Sequence, residues 1–194
     1  MLRSSGAVDP ETDIFDTWKA NHTVHLYEEG DSLLGVAGQY IGGSLVGGRR
    51  VVVLSTAARW RDLREFLISN GLELETTKNK GQLKVVDAGE FLDRVSRGDV
   101  PDPILFRSCV DELLDEGSGN GRFRGCRIFG EVTDILGAKG NFKAIELMER
   151  AWNEMIVERS FTLMCVCSTR AFYGIHSSHD LRVICAAHKD VICG

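Results

Sequence analysis

The chain has 194 residues, 43% of them hydrophobic and 26% charged, with a formal net charge of −5. That length suits one soluble domain able to bury a core without disulfides or metal. The acidic balance excludes broad nucleic-acid binding, which needs a basic face, and no apolar run approaches the roughly 18 residues of a membrane span.

Met1 to Thr12 lacks the apolar core of a signal peptide, and residues 1–20 read as a flexible lead-in to a domain over 21–194. Six cysteines without such a signal imply reduced thiols and a cytoplasmic protein. His22 to Tyr27 reads as the first strand, and Asp31 or Ser32 can cap the helix that follows. That helix carries Leu33, Val36, Ala37, Tyr40, Ile41 and Leu45 at helical spacing. It also holds Gly35, Gly38, Gly42 and Gly43. Each interior glycine costs about 1 kcal/mol against alanine, so packing must hold the helix.

Gly47-Gly48 ends it, and Val51 to Leu54 form an uninterrupted apolar run suited to a strand covered on both faces. Ala58 to Asn70 is the second helix, closed by Gly71; Leu83 to Val86 is a strand and Glu90 to Val95 a short helix. Asp102-Pro103 pairs an N-cap with proline at the first helical position, ahead of the inward stripe Phe106, Cys109, Val110, Leu113 and Leu114. Asp115 to Gly125 reads as a loop, Cys126 to Phe129 as a strand and Glu131 to Leu136 as a helical turn. Phe142 to Val157 is the strongest helix, with Ile145, Met148, Trp152 and Met155 on one face; Glu146, Glu149 and Arg150 read as its solvated side. Phe161 to Cys167 is a further strand, and Leu181 to His188 a last helix before Val191 and Ile192. Strands alternating with helices predict an α/β three-layer sandwich around a mainly parallel sheet.

Open parallel sheets bind ligands at the carboxyl ends of their strands. Tyr27, Ser55, Thr56, Asp87, Glu131 and Cys167 fall near those ends. Glu131 directly follows a strand, and a partly buried carboxylate there needs a partner; a hydroxyl of Ser55, Thr56 or Tyr27 is expected to supply it. His22 and His25, three apart on the first strand, join the candidate list as a polar network or metal ligands. The C-terminal third adds Cys165-x-Cys167, His176, His179, Cys185-x-x-His188 and Cys193. Structural zinc sites show tighter ligand pairs, so no metal and no other cofactor is expected. Cys185 and His188 lie within one helical turn, too common an arrangement to imply catalysis.

Several segments in order resemble the MEDS family, the methanogen/methylotroph DcmR sensory domain. They are His22-Thr-Val-His25-Leu-Tyr27, Gly81-Gln-Leu-Lys-Val-Val-Asp87-Ala, Pro101-Asp102, Phe129-Gly130-Glu131-Val132, Gly140-Asn141, Glu146-Leu-Met-Glu149-Arg-Ala-Trp152-Asn153, Cys165 and Cys185-Ala-Ala-His188. The resemblance implies a degenerate relative of the KaiC branch of RecA-like ATPases. In such an ATPase the first strand leads into a glycine-rich loop ending in Gly-Lys-Ser/Thr that holds phosphate and magnesium. Here that segment is Glu28-Glu29-Gly30-Asp31-Ser32, with three carboxylates and no lysine. Those acids repel a triphosphate at a helix N-terminus that otherwise favours anions, so the P-loop is degenerate and no enzyme activity is expected.

The resemblance further implies a sensory, signal-transduction role: the domain binds a small organic ligand or a signalling protein, such as a histidine kinase or transcriptional regulator, and relays a conformational signal. Halogenated methanes or other one-carbon compounds are the ligand class suggested for the family's founding member. Competing readings are a protein-interaction scaffold without ligand and a metal- or thiol-dependent enzyme. Homodimerisation is open.

Overall fold

The computed structural model describes residues 21–28, 30–116, 122–172 and 177–194. The expected lead-in, the tip of the loop after Asp115, and His176 lie outside them. In chain order the elements are β1 (His22–Tyr27), α1 (Gly30–Val46), β2 (Arg50–Ser55), α2 (Ala57–Ser69), α3 (Leu74–Asn79), β3 (Leu83–Asp87) and α4 (Ala88–Val95). A two-strand hairpin of β4 (Ser96–Arg97) and β5 (Val100–Pro101) precedes α5 (Pro103–Asp115). Then come β6 (Cys126–Gly130), α6 (Val132–Ala138), α7 (Phe142–Arg159), β7 (Thr162–Ser168), α8 (Ser177–Ala187) and β8 (Asp190–Cys193).

Six strands form one sheet in the order β3-β2-β6-β7-β1-β8, and every pairing in it is parallel. Every residue of β1 and of β2 is buried, because helices cover both faces. Alternation along the strands sorts side chains between two cores. Val51, Val53, Phe129, Met164 and Val166 pack under α1, α2 and α3. Val52, Leu54, Ile128, Leu163, Cys165 and Cys167 pack under α4 to α8. The expected three-layer α/β sandwich is therefore present. Among the described residues no helix is long and apolar enough to cross a membrane.

The glycines of α1 have a packing reason at Gly38. A Cβ there would come within 2.2 Å of the Phe66 ring, so the missing side chain lets α2 lie close. The structure differs from expectation in several local features. The first helix starts at Gly30, so Asp31 and Ser32 sit in its first turn instead of capping it. The short helix α3 and the β4–β5 hairpin are additions; both are too brief for hydrophobic periodicity to register. Val191 and Ile192 belong to a strand, β8, laid parallel to β1 at the sheet edge.

The crossovers from β1 through β2 to β3 travel one way over α1 and α2. Those through β6, β7 and β8 travel the other way over the opposite layer. Right-handed connections require the change of layer when the direction changes. The direction changes at β3, and the neighbouring strands β2 and β6 send their following helices, α2 and α6, to opposite layers, which opens a site position at their carboxyl ends.

Trp152 anchors the larger core. It is 1% exposed and stacks on Phe91 at 6.0 Å, with Phe106 edge-on at 4.7 Å and Phe161 at 6.1 Å. Trp152→Ala should cost about 3–5 kcal/mol in urea unfolding. Val157→Ser, on the same helix but 78% exposed, should stay within about 0.5 kcal/mol.

Candidate functional site

Where β2 and β6 diverge the chain assembles a charged network. β2 ends in Ser55 and Thr56 caps α2, its hydroxyl accepting from the Arg59 amide. β6 ends in Gly130, and Glu131 follows as the N-cap residue of α6. The Glu131 carboxylate reaches back across the sheet edge. Its Oε2 accepts from Ser55 Oγ at 2.7 Å, the Thr56 amide at 2.6 Å and Thr56 Oγ1 at 3.2 Å. Its Oε1 accepts from Arg59 Nε at 2.8 Å. The Thr56 amide is the first free donor of α2, a place that ordinarily favours an anion; here an internal carboxylate takes it.

Arg59 extends the network to β1. Its NH2 donates to Tyr27 Oη at 2.8 Å, and Tyr27 donates to Asp134 Oδ2 at 2.5 Å. Asp134 Oδ1 accepts from the Ser168 amide at the end of β7 at 2.8 Å. Burial, followed by the Asp134 carboxylate, pushes the Tyr27 phenol well above its ordinary range, so Tyr27 is a neutral donor. One guanidinium thus faces two carboxylates, and four neighbouring strands are tied through side chains of 27, 55, 131 and 134. The expected partner of Glu131 is found in Ser55 and Thr56. Tyr27 reaches the network through Arg59 and Asp134 instead.

The remaining candidates lie elsewhere. Asp87 is paired in register with Ser55 on the neighbouring strand, but its carboxylate caps α4, accepting from the Gly89 and Glu90 amides. Cys167 is fully buried in the larger core, and burial raises its thiol far above the reactive range. His22 and His25 are both 0% exposed and face opposite sides of the sheet, since residues three apart on a strand alternate. They cannot share a metal or a network. His25 points to the α1 side. Among the described residues neither of its ring nitrogens has a hydrogen-bond partner, and burial lowers its pKa. Gly194 lies so close that a Cβ there would meet Nε2 at 2.7 Å.

His22, on the other face, enters a second polar cluster beneath α7 and α8. Its Nε2 is 3.3 Å from Glu149 Oε2 and 3.6 Å from Cys165 Sγ. His188 Nε2 approaches the same carboxylate oxygen at 3.3 Å, and Cys165 Sγ lies 3.9 Å from it. The four ligand atoms all fall within 4.8 Å of one another. Glu149 is 1% exposed, which corrects its reading as part of the solvated side of the long helix. Of the C-terminal cysteines and histidines, Cys165 and His188 enter this cluster; Cys185 is half-buried and Cys193 exposed. Outside the cluster, α7 and α8 enclose an open groove of about 720 Å³, mostly apolar, lined by Arg150, Asn153, Val157, Val183 and Ala187 among others.

Arg59, Asp134 and Glu149 escaped the sequence reading, yet each had a signal. Arg59 lies three residues after the Thr56 cap and Asp134 three after Glu131, one helical turn in, on the side that looks back at the strand ends. Glu149 falls four after Ile145 and three before Trp152, inside the apolar stripe.

No curated protein is significantly similar to this chain. Residues 21–189 match the family described as MEDS, the methanogen/methylotroph DcmR sensory domain.

Glu131→Gln keeps the shape but weakens the bonds from Arg59 and Thr56. It should lower stability by about 1–3 kcal/mol, read as a shift in urea midpoint at constant slope. His25 supplies a pH dependence. Its folded-state pKa lies below the unfolded value of about 6.5, so its contribution to stability is complete above that pH. The contribution is lost on acidification from there through the lowered folded-state value. Unfolding midpoints measured from about pH 8 to about pH 5 should fall more steeply in the wild type than in His25→Leu; parallel curves would contradict a buried neutral His25.

Proposed function

The chain belongs to the MEDS family of sensory domains, and from that membership we propose that it binds a small polar organic ligand at the carboxyl edge and relays the event to a signalling protein. The observation that carries this reading is the sharing of Arg59 between Glu131 and Tyr27. A ligand that competes for the guanidinium changes the side-chain tie between β1, β2, β6 and β7. Its effect therefore reaches four strands at once instead of staying in a loop.

The preferred ligand is uncharged or carries a hydrogen-bond acceptor, since two carboxylates against one guanidinium disfavour an anion. One-carbon compounds are the class the family resemblance suggests, and Arg59, whose side chain is 21% exposed, is a member of the network that solvent reaches. The output is a conformational bias read by a kinase or transcriptional regulator. Triphosphate binding is not part of the function, because Glu28, Glu29 and Asp31 occupy the position of a phosphate loop and Glu131 occupies the first amide of α2. The RecA-like ancestry belongs to the same proposal.

A second reading, docking without a ligand, is favoured by the open groove between α7 and α8 with exposed Val157 on its rim. Thermal-shift measurements on the full chain with a panel of one-carbon and other small organic compounds separate the two. A native-state ligand raises the midpoint, and Arg59→Leu should remove that rise. A panel without any shift favours docking. Calorimetry with ATP and magnesium should give no binding heat; saturable binding that requires magnesium would overturn the non-nucleotide reading.

A further inference from the structure

We infer that His22, Glu149, Cys165 and His188 form a buried tetrahedral site for a divalent cation of the zinc type. This inference does not rest on the sensory reading.

The proton inventory of the cluster leads to it. His188 Nδ1 is 2.7 Å from the Ile184 carbonyl, an acceptor without a proton, so Nδ1 carries the hydrogen and neutral His188 presents an Nε2 lone pair. Asn153 donates through Nδ2 to the Ala187 carbonyl, which orients its Oδ1 toward His22 Nδ1 at 3.0 Å. His22 therefore also presents an Nε2 lone pair. Thr133 donates to Glu149 Oε1 at 2.6 Å, leaving Oε2 for the cluster. Two imidazole lone pairs and a carboxylate oxygen converge on one point with no donor among them except the Cys165 thiol. A shared proton satisfies one imidazole–carboxylate pair and leaves the other imidazole facing an acceptor. His188, 8% exposed, has no hydrogen-bond partner at Nε2 among the described residues.

A cation satisfies all four. Ligands at zinc distances, about 2.0–2.1 Å for nitrogen and oxygen and about 2.3 Å for sulfur, stand roughly 3.3 Å apart for N–O pairs and roughly 3.6 Å for pairs with sulfur. Of the six separations, the His22–Glu149, His188–Glu149, His22–Cys165 and Cys165–Glu149 pairs stand at 3.3, 3.3, 3.6 and 3.9 Å, and the two remaining pairs fall within 4.8 Å. Two imidazoles with one thiolate suit zinc and exclude calcium and magnesium, which take oxygen ligands. The Glu149 carboxylate and a Cys165 thiolate neutralise a divalent charge, so the filled site is neutral in a fully buried position. Outer partners already fix three of the four ligands: Asn153 on His22, Ile184 on His188 and Thr133 on Glu149. The ligands come from β1, α7, β7 and the turn after α8, so the cation clamps the C-terminal unit onto the sheet. The absence of paired Cys and His spacings in the sequence follows from this dispersal.

The test uses the untagged full chain, stripped of metal by a chelator and titrated with Co²⁺ alone and then Zn²⁺ alone. The expected result is one Co²⁺ per chain, with the visible absorption of a tetrahedral ion and a thiolate-to-cobalt charge-transfer band in the near ultraviolet. Zn²⁺ should displace it, release the thiol proton and raise the melting midpoint. Cys165→Ser should lose the charge-transfer band, His188→Gln should weaken affinity at least about tenfold, and Cys185→Ser should change neither. Failure of the folded wild type to take up Co²⁺ in excess overturns the site. So does a charge-transfer band that survives in Cys165→Ser, which would place the metal on other thiols. Should Cys165→Ser fail to fold, the wild-type stoichiometry and the Glu149→Gln titration decide alone.

Discussion

A sheet covered on both faces has no water at its centre, and every polar side chain placed on it must find its partner inside the protein. That constraint organises this molecule. β1 runs between β7 and β8 with all six residues buried, yet it carries two histidines, a threonine and a tyrosine. An apolar strand would pack there more cheaply. Tyr27 at the carboxyl end and His22 near the amino end hold their places because a network is built around each, while His25 between them stays neutral and is kept in place by burial.

The two networks differ in how they are satisfied. At the carboxyl edge each acceptor meets a donor: Glu131 has amide, hydroxyl and guanidinium partners, and Asp134 has a phenol and an amide. It is partly open through Arg59, so a competing ligand has a route in. The cluster under α7 and α8 is closed to solvent and short of donors. The first suits a reversible exchange of partners; the second suits a resident ion. Asn153 belongs to the closed cluster and also lines the groove outside it, so a change of occupancy inside has a path to the surface.

The layered fold was legible because it rests on features that survive in one dimension. The Val51–Leu54 run, the alternation of strands with helices, the Asp102-Pro103 start and the stripe on the Phe142–Val157 helix each report a local burial pattern. Glu131 was legible for the same reason, since a carboxylate just after a buried strand must be paired nearby. The site as a whole was not. Arg59 and Asp134 look like ordinary helix-surface residues until the crossovers bring β2, β6, β7 and β1 side by side. His22, Glu149, Cys165 and His188 come from four separate segments, and no spacing rule joins them. Glu149 is hidden for a different reason: its chemical type points to solvent, whereas its position in the helical period, between Ile145 and Trp152, points to the core where it lies.

The first strand of the sheet makes its ladders with the last two, so one flank of the sheet joins segments far apart along the domain. Closing so long a loop costs entropy before any contact repays it, and a topology dominated by such distant pairings folds slowly. On the ribosome β1 emerges before the rest of the sheet and waits for β7 and β8 before it can be sheltered on both edges. Its hydrophobic and histidine-bearing faces are exposed during that interval, with β2, β3 and their helices able to associate meanwhile. Completion is thus a single late event, in which α7, β7, α8 and β8 arrive together and close over a strand that was synthesised first.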